Sequence, residues 1–254
     1  MNAILDSATM LRRQIKHLSR YPALTMMTMG TPVIFLLLFV YVFGGTLGDG
    51  LGGLGGRAEY INYITPGILI MAVAGAAQST ATSVATDMTE GIVARFRTMA
   101  IARVSVLTGH VVGSILQTVF SMVVVVGVAL LIGFRSPADL TGWLAAGGVL
   151  LAVSLAFTWF SVALGLIAGT VEIASNLPLP LMLLPMLGSG FVPTASMPGG
   201  LRWFAENQPF TPIIEAVRSL VTGTPPGNSV WLALLWSAII GVGGYVWAKK
   251  LYNR

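Results

Sequence analysis

The densest charge in this sequence lies between Asp87 and Arg103. Asp87 and Glu90 come first, and Arg95, Arg97 and Arg103 follow. Carboxylates at the start and arginines further along suit the two ends of a helix dipole. Asp87 with Glu90 three residues on resembles a capping box. Ile92, Phe96 and Met99 fall at i, i+4 and i+7, so they share one helical face. The chemistry this pattern supports is docking: a short amphipathic helix between two apolar stretches can seat in a soluble partner. On the segment alone, a polar hairpin that follows charge-topology rules fits equally well.

The motifs of catalysis are missing. A phosphate-binding P-loop needs a lysine after Gly-x4-Gly, and the three lysines, Lys16, Lys249 and Lys250, follow no such loop. Gly188-Ser189-Gly190 lacks the spacing of a nucleophile elbow. His17 and His110 stand far apart and outside any His-Glu-x-x-His frame, which argues against a zinc protease. His110, flanked by Gly109 and Gly113, reads better as a hydrogen-bonding residue between helices than as a metal ligand. The chain has no cysteine, so it forms no disulfide and no thiolate metal site.

These residues belong to a chain built for a membrane. Of its 254 residues 55% are hydrophobic and 9% are charged, and the mean hydropathy is +0.83. Soluble domains carry about 25% charged residues. The net charge of +5 is no nucleic-acid signal, because the basic residues flank apolar stretches, where they set topology. Six stretches are long enough to cross a bilayer, near 23–43, 61–86, 105–133, 143–168, 178–198 and 229–248. None contains Asp, Glu, Lys or Arg. The fifth carries Pro178, Pro180, Pro185, Pro193 and Pro198, so it must be kinked or broken, with its freed backbone groups bonded elsewhere.

Residues 1–22 place Ile4, Ala8, Leu11, Ile15 and Leu18 on one stripe, with Arg12, Arg13, Lys16 and Arg20 mostly off it. That pattern describes an interfacial amphipathic helix on the anionic inner leaflet. With both termini inside, the inner side holds ten basic residues and the outer side holds Arg57, Arg135, Arg202 and Arg218, the bias of cytoplasmic termini. The glycine-rich stretch 44–60 reads as a mobile external loop. Pro212–Val221 is amphipathic, and Glu215 and Arg218 at i, i+3 can pair. Met26 and Met182, with other methionines, can line an adaptable apolar path or simply pack. Gln78 and Ser79, in the most polar part of a span, can line the same path or bond to neighbouring helices.

Several passages resemble the ABC-2 type permeases, the membrane subunits of type V ABC exporters. Within these the chain looks most like the drug-resistance branch related to the daunorubicin exporter permease. Tyr63-Ile-Thr-Pro-Gly-Ile-Leu69 resembles the family's entry to its second span. Asp87 to Arg103, with Gly91, the Arg95-Phe96-Arg97 triplet and Arg103, is similar to its coupling helix, although Ala100 stands where family members commonly have proline. Phe191-Val-Pro193 to Met197-Pro198, then Asn207, Pro209, Glu215 and Arg218, resembles its re-entrant hairpin.

The resemblance implies one all-α transmembrane domain over 1–254. It would have six transmembrane helices, the interfacial helix 1–22, a coupling helix 87–103 and a re-entrant hairpin 191–222 shaping the outer gate. It implies a plasma-membrane location, a dimer with a second permease copy or homologue, and two P-loop ATPase subunits beneath. ATP and Mg would bind those partners, with no cofactor or metal held by this chain. Its cargo would be amphiphilic drugs, lipids or glycolipids.

Two other readings remain. An ion-coupled secondary transporter usually keeps an ionisable residue inside its bundle, which these spans lack. A membrane scaffold would transport nothing; a P-loop ATPase encoded beside the gene separates the permease reading from both. The topology has a direct test. Single cysteines at Gly50, Gly91, Ser136 and Asn253, probed with an impermeant thiol reagent in intact cells, should label at 50 and 136 only.

Overall fold

A computed structural model describes residues 22–50, 56–90 and 103–252 of the chain. All regular structure in them is helical. The elements are α1 (Pro22–Leu38), α2 (Gly44–Asp49), α3 (Gly56–Thr89), α4 (Arg103–Leu131), α5 (Leu140–Ile167), α6 (Val171–Asn176), α7 (Leu179–Leu183), α8 (Gly199–Asn207), α9 (Phe210–Thr222) and α10 (Ser229–Tyr252). A π-turn over Phe39–Phe43 joins α1 to α2, and a 3-10 turn covers Thr194–Ser196. The interfacial segment 1–22 lies outside the described residues except for Pro22, which opens α1.

Helix α3 is the hub. It touches α1, α2, α4, α5, α6, α7 and α9, and 78% of its apolar window is buried, against 17% for α10. Ile64, Ile68, Leu69, Ile70, Met71 and Val73 sit in the main core with Phe157, Phe210, Ile213 and Val217. A helix apolar on every side has to be an interior one. Helix α10 packs on α5 and α9. A side chain at Gly244 would place its β-carbon 2.6 Å from the Phe160 nitrogen, so glycine sets how closely α10 approaches α5. Trp159 and Tyr245 meet edge-on beside it, ring centroids 4.9 Å apart.

The bundle has two ends. One gathers Val84, Val111, Val162, Ala163, Ala248 and Tyr252 in a small cluster, next to residues 91–102. The other holds the α4–α5 turn, where the Arg135 amide donates to Asn62 Oδ1 (3.0 Å) and the Ser136 hydroxyl to the Val221 carbonyl (2.5 Å). Asp139 opens α5 here as its N-cap. Its Oδ1 accepts from the Gly142 N–H at 2.9 Å, and the Thr141 hydroxyl donates to it at 2.8 Å.

Among the described residues, five helices are long and apolar enough to cross a membrane: Gly30–Asp49, Gly56–Thr89, Thr108–Leu131, Leu140–Ile167 and Ser229–Tyr252. The expected stretch 178–198 is not a single helix. It breaks into α7, a series of turns over 184–191, and the 3-10 turn, as expected of five prolines that lack an N–H and two glycines whose backbone freedom disfavours helix. The glycine-rich stretch is shorter as a loop than expected. Helix continues to Asp49 and resumes at Gly56, because the π-turn keeps the backbone bonded through the first glycines. The second span likewise overruns its apolar text. Thr82, Thr86 and Thr89 hydroxyls donate to the carbonyls four residues back, Gln78, Thr82 and Ala85, which lets the helix continue through polar residues.

The Asp139 cap has a pH signature. The Gly142 N–H, and then the Thr141 hydroxyl, hold this carboxyl below its ordinary value of 3.8. A depressed folded-state value stabilises the protein above the unfolded value and is lost as pH falls through the folded one. Asp139→Ala should therefore lower the melting temperature in detergent at neutral pH. The gap from wild type should narrow as pH falls through the depressed folded-state value, below which both chains lack the anionic cap.

Candidate functional site

The broken segment between α6 and α8 leaves backbone groups that no helix satisfies, and the site is built around them. Its chain runs beside α3. Ala174 packs on Ala85, Gln78 Nε2 donates to the Ser175 carbonyl at 2.6 Å, and the Tyr63 hydroxyl donates to the Ser189 carbonyl at 3.0 Å. The Tyr60 hydroxyl reaches the Phe191 carbonyl at 3.3 Å. A β-carbon on Gly67 would lie 2.5 Å from the Gly190 carbonyl oxygen, so the two glycines touch backbone to backbone.

Helix α9 closes the site from the other side. Arg218 Nε donates to the Tyr63 carbonyl at 3.2 Å, and its terminal nitrogen donates to the Ser189 carbonyl. The guanidinium also lies 3.9 Å from the Tyr63 ring centroid, a cation–π contact. Ser189 thus accepts from a phenol and a guanidinium at once. Gln208 Nε2 donates to the Leu184 carbonyl at 3.2 Å, and Thr211 Oγ1 donates to Ala205. Phe210 packs on Phe157 with centroids 5.4 Å apart. The chain that leaves Phe191 beside Tyr60 therefore turns at Gln208–Pro209 against Leu184 and Phe157. It returns along α9 to Ser136, where α9 ends at Gly223 in the left-handed conformation, φ 67°.

The expected outer residues fall around this hairpin. Pro193 precedes the 3-10 turn, Pro198 caps α8, and Pro209 stands before α9. Asn207 Nδ2 donates to the Trp203 carbonyl at 2.7 Å. Glu215 and Arg218 attract each other, as their spacing suggests, but they make no direct ion pair. Arg218 turns inward to carbonyls, which a half-buried, multi-donor guanidinium satisfies, and Glu215 stays exposed. Of the possible path residues, Gln78 is engaged with Ser175, Ser79 is half-buried, and Met182 packs half-buried against the core. Met26 lies in α1, its side chain outside the described residues.

At the opposite end, Gly91, Ile92, Arg95, Phe96, Arg97 and Met99 lie outside the described residues. Their roots do not. Arg103 opens α4, and Glu90 is an exposed turn residue whose amide bonds to the Thr86 carbonyl at 2.9 Å. Asp87 does not open a helix as the capping pattern predicts. It lies in the final turns of α3, 6% exposed, with Oδ2 at 3.0 Å from His110 Nε2 on α4. The apolar-window boundary at 86 stopped one residue short of this buried carboxylate, so the bundle does contain an ionisable side chain.

Tyr60, Ser189 and Gln208 escaped the sequence reading as site residues. Two tyrosines at i, i+3 in an otherwise apolar span were the available signal, since a phenol inside a bundle needs an acceptor. Ser189 and Gln208 gave none, because the one acts through its carbonyl and the other bonds a residue 24 positions away.

Loss of the guanidinium should loosen this end. Arg218→Ala removes two charge-assisted donors and should cost about 2 kcal/mol of stability. Arg218→Lys should recover part of it, because an ammonium cannot fork to both carbonyls. Thermal unfolding of the purified chain in detergent measures both.

Comparison with known proteins agrees with this architecture. Residues 7–222 match the family described as ABC-2 type transporter. The chain is 31% identical over 238 residues to the daunorubicin resistance ABC transporter permease protein DrrB1 of Streptomyces coeruleorubidus, covering 93% of this chain and 82% of that protein. It is 26% identical over 172 residues to the probable doxorubicin resistance ABC transporter permease protein DrrC of Mycobacterium tuberculosis, covering 66% of this chain and 62% of that one. A helical bundle centred on α3, a broken segment bonded into it and a match over most of its length make this chain a member of the ABC-2 type transporter family.

Proposed function

We propose that this chain is the permease subunit of an ATP-driven ABC exporter that moves amphiphilic drugs, lipids or glycolipids out of the cytoplasm or the inner leaflet. The observation that carries the reading is the 31% identity over 93% of the chain to a permease of daunorubicin resistance, within a family match over 7–222. The sequence holds no P-loop, so ATP and Mg belong to a separate ATPase, two copies of which would serve a pair of permeases. The segment 87–103, rooted on α3 and α4, is the docking element, with Ile92, Phe96 and Met99 as apolar anchors.

The same reading puts six crossings in the plasma membrane with both termini cytoplasmic. The sixth is the broken segment. With α6 before it, its contacts step along α3 from Ala85, beside Ala174, to Tyr60, beside Phe191, about 37 Å at about 1.5 Å per residue, and a hydrocarbon core is about 30 Å thick. Donors from α3 and α9 supply the carbonyls that a broken helix must satisfy in lipid. The hairpin of α8 and α9 then dips into the outer leaflet and returns, with Glu215 exposed near the outer gate.

The permease and the ATPase encoded beside it, reconstituted in vesicles, should move doxorubicin only with hydrolysable nucleotide. An apolar anchor truncated in a pocket loses about 2 kcal/mol, so Phe96→Ala with Arg97→Ala should weaken ATPase binding at least tenfold without lowering permease levels. Nucleotide-independent transport, or wild-type binding by the double variant, refutes the assignment.

A further inference from the structure

The two helices that flank residues 91–102 are locked together at their roots. Asp87 lies two residues before the end of α3, and His110 lies two turns into α4. The His110 Nε2 to Asp87 Oδ2 distance is 3.0 Å, and both residues are 6% exposed. Ser83, one turn back on α3, places Oγ at 3.5 Å from His110 Nδ1. The imidazole is thus addressed at both nitrogens, by a carboxylate on one side and a hydroxyl on the other, and its orientation is set. Val84 and Val111, the chain neighbours of Ser83 and His110, belong to a buried apolar cluster with Val162, Ala163, Ala248 and Tyr252, and a buried setting strengthens the bond.

A second polar bond carries the connection onward. One turn beyond His110, Ser114 Oγ lies 3.1 Å from Thr158 Oγ1 on α5. Both hydroxyls are buried. Helices α3, α4 and α5 are therefore cross-linked by side chains in two successive turns at this end of the bundle. Separating α3 from α4 here would break the buried carboxylate–imidazole bond, a costly event. Sliding α4 along α5 would break the hydroxyl pair as well.

The geometry points to Asp87 and His110 as positioning residues for energy coupling, which make the roots of the 91–102 segment one rigid body. A push delivered to that segment then moves α3 and α4 together, and α5 through the Ser114–Thr158 bond. Without the lock the push is absorbed where the helices part. Asp87 acts here through His110, from inside the bundle. The inference rests on the reading that 87–103 docks an ATPase.

The test uses the permease with its neighbouring ATPase in vesicles, with doxorubicin, whose own fluorescence reports its movement. Asp87→Asn, His110→Gln and the double variant are compared for membrane level, ATPase binding, ATP hydrolysis and drug moved per ATP. Each single change should cut drug moved per ATP about fivefold or more, the scale of a coupling interaction between sites, with ATPase binding unchanged. The double variant should be no worse than the poorer single one, as expected when both residues serve one interaction. Unchanged drug per ATP in the single variants, or losses that multiply in the double, overturns the inference. Should those variants fail to accumulate, Ser83→Ala and Ser114→Ala carry the test. A drop of about twofold in drug per ATP supports the lock, and no drop overturns it. A wild-type permease that neither binds the ATPase nor needs ATP refutes instead the docking assignment.

Discussion

The carbonyl of Ser189 belongs to no helix, and the arrangement of this protein follows from the need to bond it. Where a helix crosses an apolar medium it satisfies its own backbone. A segment with prolines at 178, 180 and 185 and glycines at 188 and 190 cannot. The molecule answers with donors from its neighbours: Tyr63 and Tyr60 from α3, and Arg218 and Gln208 from α9 and its approach. That requirement brings α9 inward, places α3 at the centre, and makes Gly67 and Gly190 meet without side chains between them.

The two ends of α3 are consequently different in kind. At the Tyr60 end, polar side chains hold backbone that has been broken. At the Asp87 end, they hold intact helices to each other, through a carboxylate and an imidazole in one bond and two hydroxyls in the next. The first arrangement permits an irregular path through the bundle. The second ties α3 to α4, the helices on either side of residues 91–102 in the chain. One helix of 34 residues carries both arrangements, one toward each end.

The outer surface is apolar. Leu131 is 87% exposed and Trp231 74%, and along α10 Leu235, Ile239, Val242 and Val246 are exposed as well. In water such a surface would drive association; the family and the apolar helices make the chain a multi-pass membrane protein, for which lipid is the matching solvent.

Membrane residence, the family and the polar segment between the second and third spans were all legible in the sequence. Each is local: a run of apolar residues, a short motif, a cluster of arginines. Helix existence followed the same logic, because an apolar run about 20 residues long has few alternatives in a bilayer. The sequence also showed that the stretch from 178 to 198 breaks, since proline forbids continuous helix at its own position. Only the tertiary structure decided what happens to the freed carbonyls. Their donors come from 126, 29 and 24 residues away, and no spacing rule relates them. Asp87 makes the same point at the other end. Its local text, acidic with a glutamate three residues on, suits the start of a helix, yet threonine hydroxyls carry α3 past it and a histidine 23 positions later takes the carboxylate into the interior. Periodicity and propensity act over a helical turn or two, whereas the partner of a buried polar group is set by which helices the packed core brings side by side.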